Sequence, residues 1–330
     1  MSRKRSRQAT FADLYAGAGM LSAGMVDAGF QPLLAVECDA AAAESYALNV
    51  SKCVRVASVT DVSDVPIVDV LVAGPPCQGF STLGRRDPTD VRNELCLALL
   101  PWARLSRAKI VLVENVPPFL HSTHWKQLRN GLARLGYEIT TWELDAVDFE
   151  TPQRRRRSFT IASKIGSIDP PRPTSGRAIT AGEVLLNRSR RFRRGDPMHI
   201  WPKATGIAAQ RIALVPPGGD KRDIARIAPQ LCPASWARVG CHATDVWGRV
   251  DPNKPANTIR CTFQNPSKGR YLHPVKDRVL SLREGARLQG IPDDWNFIGL
   301  PYPVARQIGN GVPIPLARAV GRSIAEALGY

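Results

Sequence analysis

Short apolar runs alternate with helix-like stretches between residues 9 and 163, and this alternation constrains the fold more than any other feature of the sequence. Continuous apolar runs such as VDVLVAG and KIVLVENV are typical of central parallel strands that are covered on both faces. The pattern predicts a doubly wound α/β domain, whose ligands bind at the carboxyl ends of the strands. The predicted strands are residues 10–15, 33–38, 53–58, 68–74, 109–116, 137–144 and 157–163.

Beyond about residue 165 the alternation gives way to a stretch rich in proline, glycine and arginine, which we interpret as a smaller second domain. Residues 278–292 and 315–328 have the spacing of amphipathic helices, and we expect the last helix to return to the first domain. The predicted boundaries are 1–164 plus about 303–330 for the first domain, and about 165–302 for the second.

Positive charge is concentrated in the middle of the chain. Residues 165–260 hold 16 of the 45 lysines and arginines, but only 7 of the 29 aspartates and glutamates. A local excess of one sign suits a polyanion, and nucleic acid is the commonest such partner. Solubility alone would explain the net charge of +16, but not its concentration in one region.

Cysteine usage and hydropathy predict an intracellular protein. The seven cysteines are scattered and include no C-x-x-C pair, so we interpret them as reduced thiols without a metal site. The basic first residues resemble a solvated tail more than a signal peptide, and no apolar run is long enough to cross a bilayer. We therefore expect a cytoplasmic protein with no membrane partner.

The first candidate site is the glycine turn in DLYAGAGMLSAGM. Gly17 and Gly19 follow a strand and precede a helix, so the backbone there can approach a ligand closely. Ser22 stands where a dinucleotide fingerprint has its third glycine, which disfavours a nicotinamide cofactor and favours a nucleoside. Glu37 closes the next strand, where an acid can accept hydrogen bonds from ribose hydroxyls. A purely structural turn stays open as an alternative.

The second and third candidates follow the central strands. In GPPCQGFS, Pro75 and Pro76 hold the chain extended and present Cys77 at a carboxyl strand end, where a nucleophile can meet its substrate. Glu114 of ENV ends the next strand at the same edge of the sheet, so a thiol and a carboxyl group could face one ligand. A buried structural cysteine and a helix-capping Glu–Asn pair are the alternatives.

The fourth candidate is the arginine run in PQRRRRSF. Alternation along a strand sends Arg155 and Arg157 to one face and Arg154 and Arg156 to the other. One pair could bind a phosphate or a base carbonyl, while the other is solvated or paired with acids.

Taken together, these motifs resemble the DNA (cytosine-5) methyltransferase family of bacterial type. The glycine turn, PPCQ, ENV, QRRRR, REGARLQGIPDDW and QIGNGVPIP occur in the order and spacing of that family. The resemblance leaves out about residues 165–240, where the family has its target-recognition domain. It implies a doubly wound mixed sheet of the S-adenosylmethionine-dependent methyltransferase type with a smaller target-recognition domain.

The resemblance also implies a mechanism. Cys77 would add to C6 of a flipped-out cytosine, and Glu114 would hydrogen-bond N3 and the amino group of the base. Arg157 would bind the C2 carbonyl, and Arg155 would help to hold the base or its phosphate. The base that removes the C5 proton is not identified.

The methyl donor implied by the resemblance is S-adenosyl-L-methionine. Two departures concern its site: the family usually has Phe at the position of Tyr15 and an aromatic residue at Cys38, and loss of the latter should weaken stacking on adenine. The donor contacts carried over by motif are Tyr15, Gly17, Gly19, Glu37, Asp61, Val62, Pro75, Leu95, Asn310 and Val312.

Base flipping must be compensated by contacts to DNA. In the stretch after Cys77, Ser81 and Leu83 could enter the base stack while Arg85 and Arg86 reach phosphates. We expect further basic residues to follow the DNA backbone or read guanines, with a merely solvated surface as the alternative for the arginine cluster. These residues are Arg188, Arg190, Arg191, Arg193, Arg194, Lys268 and Arg270.

The expected function is methylation of cytosine C5 in a specific duplex DNA sequence, in a restriction–modification system or as an orphan modification enzyme. The expected partners are double-stranded DNA and a cognate restriction endonuclease, and the protein is expected to be a nucleoid-associated monomer. Two alternatives stay open: an RNA (tRNA) cytosine-5 methyltransferase on the same fold, and a catalytically silent DNA-binding homologue.

Overall fold

A mixed seven-stranded sheet forms the centre of the molecule in the computed structural model, which describes residues 8–76, 91–174, 176–187, 192–239 and 245–330. Its order is β3-β2-β1-β4-β5-β7-β6, and only β7 runs antiparallel to its neighbours. The predicted doubly wound mixed sheet is confirmed, and every predicted strand is present with ends shifted by about two residues at most. The strands are β1 (Thr10–Leu14), β2 (Gln31–Glu37), β3 (Val54–Val56), β4 (Val70–Ala73), β5 (Ile110–Asn115), β6 (Glu138–Asp145) and β7 (Arg156–Ser163).

Helices cover both faces of this sheet and build most of the remaining structure. None of those in the described part of the chain is long and apolar enough to span a membrane. They are α1 (Met20–Asp27), α2 (Ala40–Asn49), α3 (Leu99–Leu105), α4 (Thr123–Arg134), α5 (Ala181–Leu185), α6 (Gly206–Ala213), α7 (Lys221–Ile227), α8 (Ala234–Val239), α9 (Leu282–Leu288), α10 (Pro301–Asn310) and α11 (Ile314–Leu328).

The two predicted amphipathic helices differ in how closely the structure follows them. The helix expected at residues 315–328 is α11, one residue longer at its start. The helix expected at residues 278–292 is only α9, because Ser281 forms a capping box with Glu284 that fixes its beginning. Gly290, with φ of 70°, turns the chain after its end.

The core lies on both faces of the sheet. On one face, α1 and α11 pack against β4 and β5. On the other face, α3 and α4 bury the alternate side chains of the same strands. Because α11 packs directly against α1, the C-terminal helix contacts the N-terminal part of the domain.

The second part of the chain is built from α5 to α8 and a two-stranded sheet of β8 (Gly248–Arg249) and β9 (Arg270–Leu272). A buried arginine connects several backbone segments there. Arg249 donates to the carbonyl oxygens of Ile212, Val215 and His273. A third apolar cluster joins α9 with α10 and Met20 of α1. The predicted boundary near residue 302 falls inside α10, and the division into two domains stays a prediction.

Candidate active site

The candidate residues collect at one edge of the central sheet. Tyr15 follows β1, Glu37 ends β2 and Pro75 follows β4, all at the carboxyl ends of parallel strands. Glu114 lies near the end of β5, and β7 begins at the same edge because it runs antiparallel to β5. Cys77, the predicted nucleophile, lies outside the described residues and directly follows Pro76 in the sequence.

Glu114 and Arg157 form an ion pair in the protein interior. Arg157 Nε lies 3.0 Å from Glu114 Oε1, and the two side chains are only 14% and 11% exposed. Burial raises the pKa of Glu114 above its ordinary value, although the positive charges of Arg157 and Arg155 oppose this effect. The carboxyl group is therefore held in a fixed position, in surroundings that make proton uptake easier than at an exposed glutamate.

Asn115, the next residue on β5, was missed as a site residue. Its Nδ2 donates to the carbonyl oxygen of Pro75 over 3.2 Å, and its Oδ1 accepts from the amide of Val116. This buried side chain ties the segment that leads to Cys77 to the strand that carries Glu114. The signal in the sequence is a polar residue at the end of a buried strand, for which helix capping stayed open as an alternative.

The arginine run divides between the two faces of the strand as alternation predicts. Arg154 and Arg156 are exposed, and Arg156 pairs with Glu143. Arg155 is only 1% exposed, and its guanidinium donates to the carbonyl oxygens of Ile259 (3.0 Å) and Gly309 (2.8 Å). Arg155 thus holds two backbone segments together, which favours a positioning role, and its contact with the base or its phosphate stays a prediction.

Gln153 is a second residue that the sequence interpretation missed. Its side chain donates to Leu288 and to the side chain of Gln289, and it accepts from the amide of Ile259. Gln153 is fully buried. Its hydrogen bonds link the start of the arginine strand to the end of α9. In the sequence Gln153 stands directly before four arginines, and no local signal indicates its partners.

The glycine turn leaves room for a nucleoside. Tyr15, Gly17 and Gly19 all have positive φ angles, of 61°, 54° and 94°. A Cβ atom built on Gly17 would meet no atom within 4 Å, so the turn faces open space. The amide of Gly17 donates to Glu37 Oε2 over 2.8 Å, which places the acid beside that space. Residues at this position fit a ligand with ribose hydroxyls.

The other predicted donor contacts have varied surroundings. Asp61 is exposed and accepts from the hydroxyl of Thr60, whereas Val62 is buried. Asn310 ends α10 and accepts from the thiol of Cys261 over 2.8 Å. Val312 is buried in the core cluster beside α1 and α11. Their contact with the donor stays a prediction.

Few of the predicted DNA contacts can be located. Arg193, Arg194 and Lys268 are exposed. Arg270 is largely buried, with 17% of its side chain exposed, and it donates to the carbonyls of Gly218, Gly219 and Arg249 and to Asp220. Its contact with DNA stays a prediction. Residues outside the described part are Ser81, Leu83, Arg85, Arg86, Arg188, Arg190 and Arg191.

The segment that carries Arg193 and Arg194 is fastened to α9. Asp196 pairs with Arg283 over 2.8 Å, and the guanidinium of Arg287 lies 4.0 Å from the ring centroid of Phe192. These contacts flank the two exposed arginines on both sides. Their position relative to the central sheet is thereby set by α9.

Comparison with known proteins reveals close relatives. The chain is 30% identical over 324 residues to the Type II methyltransferase M1.HphI of Haemophilus parahaemolyticus, covering 92% of this chain and 83% of that protein. It is 31% identical to the Type II methyltransferase M.Eco47II of Escherichia coli, with 97% and 79% coverage. The fold resembles that of the Entamoeba histolytica methyltransferase EhMeth, with a TM-score of 0.68, 13% identity, and coverage of 98% and 99%. Residues 9–182 and 224–326 match the C-5 cytosine-specific DNA methylase family, and the chain belongs to that family.

Proposed function

We propose that this protein transfers a methyl group from S-adenosylmethionine to C5 of a cytosine flipped out of a specific duplex DNA sequence, through a covalent bond between Cys77 and C6. The family implies methylation of DNA, and the observation that carries the finer proposal is the buried Glu114–Arg157 pair. The pair places a carboxyl group, whose pKa is raised by burial, and a guanidinium at the sheet edge from which the chain continues to Cys77.

The chemistry requires both groups. Cytosine C5 is a weak nucleophile, but addition of the Cys77 thiolate to C6 converts the ring into an enamine with a nucleophilic C5. Glu114 donates its proton towards N3, which neutralises the negative charge that develops during the addition. Arg157 donates to the C2 carbonyl and so orients the ring. C5 would then take the methyl group from the donor, which departs as S-adenosylhomocysteine. Loss of the C5 proton to a base, departure of the Cys77 thiolate and return of the N3 proton to Glu114 would give neutral 5-methylcytosine.

The donor supplies an electrophilic methyl group. Glu37 would hold the ribose hydroxyls, while the glycine turn would let the donor approach the backbone at Gly17. Asp61 and Val62 would lie beside the adenine. Because Cys38 stands where the family usually has an aromatic residue, stacking on the adenine would be weaker.

Residues 165–302 recognise the target sequence in this proposal. Arg193, Arg194 and Lys268 contact phosphates, since they are exposed and the first two are held by α9. The relatives named as Type II methyltransferases support a place in a restriction–modification system, with a cognate endonuclease acting on the same site. The protein works as a monomer on nucleoid DNA.

The test is covalent trapping on duplex DNA that contains 5-fluorocytosine. The base cannot remove fluorine from C5 as it removes the proton, so the Cys77 sulfur cannot be eliminated. The wild type should therefore form a complex that is stable in denaturing gels when the donor is present. Cys77→Ser should form none. The DNA is best chosen by bisulfite sequencing of the genome of a host that expresses the protein.

Two outcomes would overturn the proposal. If no complex forms on DNA that the protein methylates, the covalent step is wrong. If labelled methyl groups enter total tRNA but not duplex DNA, the substrate assignment is wrong, and the RNA alternative replaces it.

A further inference from the structure

Tyr15 adopts a backbone conformation that is unusual for a large side chain. Its φ of 61° lies in the left-handed region, where the Cβ atom crowds the following carbonyl. Such a residue persists only when its surroundings hold it in place, and these residues cluster at binding and catalytic sites. The question is which contact holds Tyr15.

The hydroxyl of Tyr15 makes a long-range hydrogen bond. Its Oη donates to the carbonyl oxygen of Leu95 over 2.7 Å, across 80 residues of sequence. Burial raises the pKa of Tyr15 above its ordinary value, so the hydroxyl stays protonated and remains a donor. The hydroxyl can therefore donate to Leu95 throughout the ordinary pH range.

The carbonyl of Leu95 belongs to a firmly packed wall. The 3-10 helix Val91–Ala98 continues directly into α3, and Cys96, Leu99 and Trp102 are buried in the core on that face of the sheet. The indole of Trp102 donates to the carbonyl of Val59 over 2.9 Å. This contact joins α3 to the segment that carries Val62.

The glycine turn is thus held from two sides. On one side, Gly17 donates to Glu37 at the end of β2. On the other side, Tyr15 donates to Leu95 beside α3. Both Glu37 and Leu95 are among the donor contacts that the resemblance implies, so the two hydrogen bonds connect opposite walls of the proposed donor site through the turn.

We propose that the Tyr15 hydroxyl is a positioning group that fastens the glycine turn to the Leu95 wall and so preorganises the site for the methyl donor. This inference rests on the donor assignment proposed above. A phenylalanine, usual in the family at this position, would fill the same space without making the bond. The hydroxyl therefore adds a contact that the usual phenylalanine could not make.

Preorganisation predicts a specific kinetic signature. A turn that is already ordered loses less conformational entropy when a ligand binds, so the hydroxyl strengthens binding of donor and product equally. Uniform binding of this kind lowers KM without raising kcat. Loss of the hydroxyl should then weaken S-adenosylmethionine and S-adenosylhomocysteine by the same factor.

The experiment compares Tyr15→Phe with Tyr137→Phe in the full chain. Tyr137 is a matched control, because its hydroxyl also donates to a backbone carbonyl over 2.7 Å, that of Ala108, within the same core and away from the glycine turn. The dissociation constant of S-adenosylhomocysteine is measured by calorimetry, together with Tm of the free protein and with KM and kcat.

Tyr15→Phe should weaken both ligands about 3- to 10-fold, as expected for one hydrogen bond, with kcat at saturating donor unchanged. Tyr137→Phe should lower Tm and leave the dissociation constant unchanged. The inference is overturned if Tyr15→Phe binds like the wild type, or if both variants weaken binding equally. If the wild type binds neither S-adenosylmethionine nor S-adenosylhomocysteine, the donor assignment fails, and the role of Tyr15 fails with it.

Discussion

At the scale of single residues, two arginine–glutamate pairs on neighbouring strands show how position decides function. Arg157 and Glu114 are enclosed, whereas Arg156 and Glu143 lie on the outer face and are largely solvated. Water screens the exposed pair, so it contributes little to stability. Burial raises the pKa of Glu114 above its ordinary value. Arg156 and Arg157 are adjacent in the sequence, but one forms an exposed ion pair and the other a buried one.

These pairs allow a matched test of the catalytic assignment. Glu114→Gln removes the transferable proton while it preserves the shape of the side chain, so kcat should fall about 100-fold or more, as for loss of a general acid. Glu143→Gln should retain wild-type activity. Methyl incorporation into target DNA under single-turnover conditions measures both. Equal activity of the two variants would remove Glu114 from the mechanism.

Asp13 carries a prediction on pH dependence. It lies buried in β1, accepts from the hydroxyl of Ser22, and burial raises its pKa from 3.8 to about 7. The folded protein therefore binds a proton that the unfolded chain has released between about pH 4 and pH 7. Stability from this group is present at low pH and is lost as pH rises through the folded pKa.

Asp13→Asn keeps the hydrogen bond with Ser22 but cannot titrate. Urea unfolding at pH 5 and pH 8 should show that the wild type loses more stability than the variant over this interval, by up to about 2.5 kcal/mol. An identical pH dependence for both proteins would show that Asp13 does not titrate as burial predicts.

At the scale of elements, the contact between α1 and α11 depends on a glycine. A Cβ atom built on Gly24 would lie 2.3 Å from the Cβ of Ala317, and within 2.7 Å of backbone atoms of α11. Real Cβ atoms do not approach so closely, so the two helices would have to separate. The close approach of these helices closes one face of the core.

Gly24→Ala should therefore destabilise the protein by about 1–3 kcal/mol through overpacking. Gly176→Ala is the control, because a Cβ atom there meets nothing within 4 Å, and its effect should stay within about 0.5 kcal/mol. Chemical denaturation measures both changes. Equal stabilities would mean that α11 can shift without loss of packing.

Elements were predictable where their signal was local. Uninterrupted apolar runs identified β4 and β5, since a strand buried on both faces needs no polar alternation. The extent of α9 was overestimated, because Arg278 looks like part of an amphipathic helix but pairs with Glu284 from outside it. That pairing depends on the folded capping box and not on helical spacing.

At the scale of the whole molecule, the local excess of positive charge predicts salt-dependent binding to DNA. Each phosphate that an arginine neutralises releases counterions, so a variant that lacks two such contacts should have a shallower dependence of affinity on salt. Arg193 and Arg194 are exposed and held beside α9, and we expect them to contribute in this way.

The double variant Arg193→Ala/Arg194→Ala should bind duplex DNA more weakly, with the slope of log affinity against log salt reduced by about 2. Arg104→Ala/Arg134→Ala removes the same charge from α3 and α4, and should leave the slope unchanged. Fluorescence anisotropy at several salt concentrations measures both. Equal slopes for the two variants would indicate that net charge alone governs binding.

The sequence by itself determined the strands of the sheet, the sheet edge at which Glu37 and Glu114 both lie, and the protein family. These features follow from local apolar runs, and from the rule that parallel strands end at the same edge. Only the tertiary structure decided the partners of Arg155, Arg270 and Tyr15. The reason is physical: each of these donors binds backbone carbonyls from distant parts of the chain, and no local pattern in the sequence tells which carbonyls the fold brings beside it.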